Sequence, residues 1–265
     1  SRERMARLRK ELDQLRRQRA FTRSRRARRG IPMAALVGYT NAGKSTLLNA
    51  VAGVFPVDEG RIILAGKDIT KMPEHRRAAL IGRVFQDPMK GTAGNMMIEE
   101  NLAMAARRGD RPGLSWSEKK EKTEEFRTLL AELGLGLENR LTAHVGLLSG
   151  GQRQAVTLLM ATLRRPELLL LDEHTAALDP KTAAKVLDMT ERIVTAKKLT
   201  TLMITHNMKN ALELGSRTFM MDAGRVVLDI GGEERKGLTV DDLLERFRAG
   251  AGKNLDNDRI LLSND

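Results

Sequence analysis

Apolar residues follow two rhythms along the chain: spacings of three and four, and short unbroken runs. The helical rhythm comes first. Met5, Leu8, Leu12 and Leu15 fall at spacings of 3, 4 and 3, a stripe that packs against another helix. Strong helix formers fill the positions between them. After Leu15 the stripe ends, and Gly30 and Pro32 close the helix. The unbroken runs then take over. Residues 33–37 (MAALV) suit a buried parallel strand, and residues 46–51 suit a helix start. Residues 57–60 form a turn, and residues 61–69 (RIILAGKDI) alternate like a strand folded at Ala65 and Gly66. Residues 79–84 lead into Phe85, Gln86, Asp87 and Pro88. Residues 101–133 are helix-rich, interrupted at Pro112 and Gly113. A helix opens at residues 148–152 (LSGGQ) and runs to about Arg164. Residues 167–173 (ELLLLDE) are an apolar strand ending in two carboxylates. Residues 180–197 are helical, 200–205 a strand ending at His206, and 207–214 helical. Residues 217–222 and 225–230 are two strands around a turn at Ala223 and Gly224.

Strands alternating with helices predict an α/β fold, a mainly parallel sheet flanked by helices. The expected organisation is a basic helical arm (1–30), a nucleotide-binding core (31–88 and 149–230), a helical subdomain (89–148) and a C-terminal tail (231–265).

Charge changes the picture at one place. The net charge is +12, and residues 1–30 hold 13 Lys and Arg against 3 acids. The rest of the chain, with 33 basic and 31 acidic residues, gives no electrostatic sign of binding nucleic acid. The arm reads either as a solvated helix docked by its stripe, or as an arginine arm on RNA or an anionic membrane surface. Phe21 is its only aromatic, so contacts to RNA would be mostly to phosphates. The chain holds no cysteine, which excludes disulfides and fits a reducing compartment. No apolar run approaches the ~18 residues that span a membrane, and no secretory h-region opens the chain.

Residues 38–46 (GYTNAGKST) read Gly-x-x-x-x-Gly-Lys-Ser. Between a strand and a helix, that spacing is a phosphate-binding loop rather than an ordinary Gly-rich turn. Gly38, Asn41, Ala42, Gly43 and Thr46 are its candidate phosphate contacts, through backbone N–H groups and the helix N-terminus. Lys44 would reach the outer phosphates, and the Ser45 hydroxyl would hold Mg2+. Asp172, ending a buried strand, can hold Mg2+ directly or through water. Glu173 would polarise the attacking water as general base. Ser149 with the N–H groups of Gly150 and Gly151, at the start of the helix that Gln152 continues, forms a second anion site. His174 belongs to the turn after Glu173. His75 and His144 have no partner pattern, and no histidine metal site follows.

Two resemblances emerge from these letters. Residues 2–49, an Arg/Leu-rich helix followed by IPMAALVGYTNAGKSTLLNA, resemble the HflX-type ribosome-associated GTPases. That family's Asn-Lys-x-Asp guanine reader is absent, and the one Asp-x-x-Gly, at 110–113, follows no apolar strand. The phosphate loop, Gln86, LSGGQ, LLLLDE, AALD at 176–179 and His206 stand in the order and spacing of the ATP-binding subunit of an ABC transporter. This resemblance covers residues 51–265, and residues 172–183 (DEHTAALDPKTA) look like importers of small solutes. It implies ATP and Mg2+ as ligands and ATPase activity. It implies that Gln86 senses Mg2+ or water, that His206 contacts the γ-phosphate, and that Asp179 connects two sites. The implied partners are a second copy arranged head-to-tail, whose nucleotide site Ser149 and its neighbours complete, and a membrane permease. The implied location is the inner face of the cell membrane.

ABC ATPases carry about thirty residues of antiparallel strands before the loop, with an adenine-stacking aromatic. Here the basic helix stands in their place. The expectation is therefore a join between two families at or just after the loop, with an open edge on residues 61–69. Three readings follow: an ATPase subunit with weakened base recognition, a ribosome-associated GTPase, or an inactive chimera.

Overall fold

The computed structural model describes residues 32–38, 42–110, 119–235 and 237–251. The arm 1–30, Tyr39, Asn41, Trp116 and residues 252–265 lie outside the described residues. In chain order the strands and α-helices are β1 (Met33–Gly38), α1 (Lys44–Ala52), β2 (Ile63–Leu64), β3 (Lys67–Asp68), α2 (Glu74–Arg77), β4 (Ile81–Val84), α3 (Ile98–Ala106), α4 (Lys119–Glu132), α5 (Gly150–Leu163), β5 (Leu168–Asp172), α6 (Pro180–Lys197), β6 (Thr201–Ile204), α7 (Met208–Leu214), β7 (Arg217–Asp222), β8 (Arg225–Gly231) and α8 (Val240–Ala251). They fall into two compact units, residues 44–204 and residues 1–43 with 205–265.

In the unit 44–204, β4, β5 and β6 run parallel, with Arg83 level with Leu170 and Asp172 level with Ile204. The leucine run is buried on both faces: Leu169, Leu170 and Leu171 are fully enclosed. That is why its pattern is unbroken rather than alternating. Asp172 and Glu173 are the first carboxylates the strand can afford, because they stand at its exit. α1 packs on β5. Its C-terminus is closed by the buried Arg77 of α2, whose guanidinium donates to the carbonyls of Ala50 (2.7 Å) and Val51 (2.9 Å). β2 and β3 form a separate two-stranded sheet, turned at Ala65 (φ 48°) and Gly66 (φ 77°), and Ile63 on it is 62% exposed. Among the described residues no further strand pairs with this hairpin. Helices α3 and α4 pack on each other, with Ile98, Leu102, Phe126 and Leu130 buried.

In the second unit, β1 runs parallel to β7, and β8 returns antiparallel through a turn at Ala223 (φ 45°) and Gly224 (φ 77°). α7 packs on β1 and α8 on β8. The region 231–265, expected as a tail, contains a helix. Leu243 and Phe247 of α8 are fully buried. Its start was readable: Thr239 and Asp242 cap each other, with Asp242 N–H donating to Thr239 Oγ1 (3.2 Å) and Thr239 N–H to Asp242 Oδ2 (2.8 Å).

Candidate active site

Strand β1, the loop and α1 follow one another as a phosphate-binding loop requires. In the unit that holds β1, a Cβ on Gly38 would lie 2.4 Å from the Met221 carbonyl oxygen, so only glycine fits there. Gly43 has φ 84° and lies against Gly224, while the Ala42 carbonyl accepts from Gly224 N–H (3.1 Å). Ala42 and Gly43 thus lie against the β7–β8 turn. His206 belongs to the same unit, half-buried between Thr205, whose N–H donates to the Leu36 carbonyl (3.2 Å), and Asn207, which caps α7 through Asn210 N–H (2.9 Å).

The other unit holds the charged groups. Lys44 opens α1 and is 5% exposed. Burial pushes its pKa down, and the carboxylates of Glu173 and Asp172 pull it back up. The first turn of α1 carries no acid, and Ser45 and Thr46 on it are exposed. A buried ammonium beside two carboxylates, at the positive end of a helix, has the donor set for a phosphate chain with a divalent cation. Among the described residues no group of three or more His, Cys, Asp or Glu could hold a metal by itself. Mg2+ does not need one, since it takes one or two protein ligands together with phosphate oxygens and water.

Burial raises the pKa of Asp172, and the neighbouring Arg83 works against that rise. The Arg83 guanidinium lies 3.5 Å from Asp172 Oδ2, donates to Asn49 Oδ1 (2.6 Å) and covers the Phe85 ring at 4.5 Å. It ties α1, the exit of β5 and the approach to Gln86. Arg83 was not among the sequence candidates. Its signal was an arginine inside an otherwise apolar strand. Gln86 lies two residues beyond β4 and is exposed. Buried Gln154 of α5 donates through Nε2 to the Phe85 carbonyl (3.3 Å), and its Oε1 has no partner.

Glu173 is half-buried and left-handed, with φ 45°. That conformation costs a non-glycine residue about 1 kcal/mol. Its N–H donates to the Ile204 carbonyl (3.2 Å), and its carbonyl accepts from Ala176 N–H (2.9 Å). His174 turns inward to 2% exposure, and burial lowers its pKa to about 4, so the ring is neutral.

Ser149 caps α5: its Oγ accepts from Gln152 N–H (3.3 Å), and Gln152 Oε1 accepts from Ser149 N–H (3.2 Å). The hydroxyl hydrogen remains for an outside acceptor. Ser149 and Gly150 are exposed, and Gly151 is buried against α6, where a Cβ would lie 2.2 Å from Thr182 Cγ2. Asp179 is exposed and caps α6, accepting from Thr182 N–H (3.0 Å); the hydrogen bonds from Thr182 hold its pKa below the usual range.

Lys44, Asp172 and Glu173 are therefore brought together. Ser45, Gln86, Ser149, Gly150, Gly151, Gln152 and Asp179 lie in the same unit, whereas Gly38, Ala42, Gly43 and His206 lie in the other.

The sequence pattern of the family described as ABC transporter matches residues 30–176. The tyrosine transport ATP-binding protein of Clostridioides difficile is 44% identical over 213 residues, 80% of this chain and 84% of that protein. The sulfate/thiosulfate import ATP-binding protein of Nocardia farcinica is 36% identical over 195 residues, covering 73% of this chain and about half (55%) of that protein. Among solved structures, an ATP-binding cassette of an ABC transporter in its ADP conformation is similar at a TM-score of 0.65 and 28% identity, covering 82% of this chain and 87% of that one. A dimeric cassette in a post-hydrolysis state with ADP and Pi is similar at 0.64 and 25% identity, covering 78% and 87%. The family match takes in residues 38–46, so the expected join between two families at that loop gains no support. Its letters are dictated by phosphate chemistry and do not tell the two families apart.

Proposed function

The chain belongs to the ABC transporter family, as an ATP-binding subunit with the P-loop fold of that family's cassettes and its ATPase activity, and from that membership we propose how its residues share the work. The observation that carries the proposal is the buried Lys44 set beside the carboxylates of Asp172 and Glu173. Lys44 and the N–H groups opening α1 hold the outer phosphates of ATP. Ser45, Asp172 and Gln86 are the protein ligands for Mg2+, which when bound neutralises charge on the phosphates. Glu173 takes the proton of the attacking water, and His206 steadies the γ-phosphate. Lys44 keeps the developing charge paired inside a partly desolvated site.

Ser149 and Gly150 are exposed at the start of α5, and with the Gly151 N–H they offer an anion site that this unit's own nucleotide does not need. They suit the phosphates held by a second copy, with Asp179 beside them. The similar cassette with ADP and Pi is a dimer, which supports that arrangement. Closure of such a pair on ATP would drive a membrane permease. The relatives' names, transport of tyrosine and import of sulfate/thiosulfate, support a small-solute importer. Among the described residues no helix is long and apolar enough to cross a membrane, which fits a subunit attached to its permease from the cytoplasmic side. The basic residues 1–30 would add contacts to anionic lipid or RNA phosphates. The likeness to a ribosome-associated GTPase rests on residues 2–49 alone, and no observation on the described residues favours it.

Glu173→Gln tests the assignment. It should cut steady-state ATP turnover to a small residual rate while leaving ATP binding, and ATP should then accumulate a dimer by light scattering. Turnover at the wild-type rate rejects Glu173 as the base.

A further inference from the structure

Four non-glycine residues among those described have a left-handed backbone. Ala65 and Ala223 sit in hairpin turns, and Lys198 ends α6. Glu173 is the only one of the four beside Lys44 and Asp172, so its conformation aims a functional carboxylate. Something must hold it. Two backbone hydrogen bonds do part of this, to Ile204 and from Ala176. The next residue supplies a third hold. His174 is buried at 2% exposure, and its Nε2 lies 3.1 Å from Oγ1 of Thr190, itself 2% exposed on α6. The Thr190 hydroxyl donates to the Val186 carbonyl (2.8 Å), so Nε2 carries the imidazole proton and donates to Oγ1.

Nothing in the hydrolytic scheme uses this imidazole. A ring buried for packing alone would be better apolar, because a polar ring in the interior is tolerated only when hydrogen-bonded. Its bond to Thr190 fixes where residue 174 sits against α6. Consecutive Cα atoms are about 3.8 Å apart, so fixing residue 174 restricts residue 173. We propose that His174 is a positioning residue: its bond to Thr190 anchors the left-handed turn to α6 and so aims the Glu173 carboxylate. The aim of Glu173 thereby depends on the helix that begins at Asp179. The inference rests on the reading of Glu173 as the base.

The test uses the full chain with five variants, His174→Phe, His174→Gln, Thr190→Val, and the first and third each combined with Glu173→Gln, beside Glu173→Gln alone. Steady-state ATP turnover, affinity for a fluorescent ATP analogue and the melting temperature are measured for each. His174→Phe and Thr190→Val should lower kcat at least tenfold, with KM and analogue affinity within twofold of wild type. His174→Gln, which keeps a donor, should recover most of that loss. In the Glu173→Gln background neither change should lower the residual turnover further. Turnover within twofold of wild type in Thr190→Val overturns the proposal, even if His174→Phe does not fold. An equal fall with and without Glu173 overturns it too, because that is the mark of a merely structural contact. Wild-type turnover in Glu173→Gln alone would sink the assignment of the base, and the inference with it.

Discussion

The ionisable residues of this site are tuned mainly by burial, and His174 shows the consequence most directly. Its imidazole is held at a pKa of about 4 against the usual 6.5. The folded protein therefore takes up this proton less readily than the unfolded chain. The sign follows: the contribution to stability is complete above pH 6.5 and is lost as pH falls from there towards 4. Its size is about 3 kcal/mol, from ~1.4 kcal/mol per pH unit. Asp172 acts in the opposite sense, since burial raises its pKa and its ionised form costs stability as pH rises. Thermal melts of wild type and His174→Phe at pH 7, 6, 5 and 4 separate the two. The wild-type melting temperature should fall over that range, and the variant should lose a distinct part of the fall. Parallel curves would show that His174 does not titrate there. Lys44 has no such freedom: Asp172 and Glu173 offset its desolvation, so removing either carboxylate leaves a buried charge less well paired.

At the scale of elements, what could be read from the letters was whatever local chemistry fixes. Helices announced by a cap stand where their letters put them: α5 behind Ser149, α6 behind Asp179 and Pro180, α7 behind Asn207. The phosphate loop and the paired carboxylates were legible because their spacing is the chemistry. Arg83 and Gln154 were not, because their roles are contacts across 34 and 69 residues of chain, to Asn49 and to Phe85. Glu173's left-handed backbone was equally silent, since glutamate does not announce a positive φ. α8 was missed although Thr239 and Asp242 cap its start. Gly151 shows the two kinds of information meeting at one residue. Its N–H suits an anion, and its lack of a side chain lets α5 approach α6 to where a Cβ would sit 2.2 Å from Thr182 Cγ2. Gly151→Ala should therefore destabilise the chain by roughly 1–3 kcal/mol, as overpacking does, and lower turnover. Adding Thr182→Ser removes the obstructing methyl and should restore most of the melting temperature. If the double variant melts as low as Gly151→Ala, the contact with Thr182 is not the cause.

Across the whole molecule, charge and recognition are segregated. Residues 1–30 carry nearly all of the net charge, and the other 235 residues carry almost none. The groups proposed for the nucleotide all act at its phosphate end: Lys44, His206 and the loop backbone on the phosphates, Ser45 and Asp172 on Mg2+, and Glu173 on the attacking water. None of the described residues is assigned to the base. Upstream of the loop the only aromatic is Phe21, and the β2–β3 hairpin stands as its own two-stranded sheet with Ile63 exposed. A stacking aromatic is worth about 1–3 kcal/mol per base. Without it, binding energy comes from the triphosphate and Mg2+, which are the same in ATP and GTP. The chain should consequently hydrolyse both, with kcat/KM values within about tenfold of each other, a gap of ~1.4 kcal/mol. Parallel turnover assays on the purified chain decide this. An ATP preference above a hundredfold would mean that a base contact exists, and residues 1–31 would be the first place to seek it by deletion.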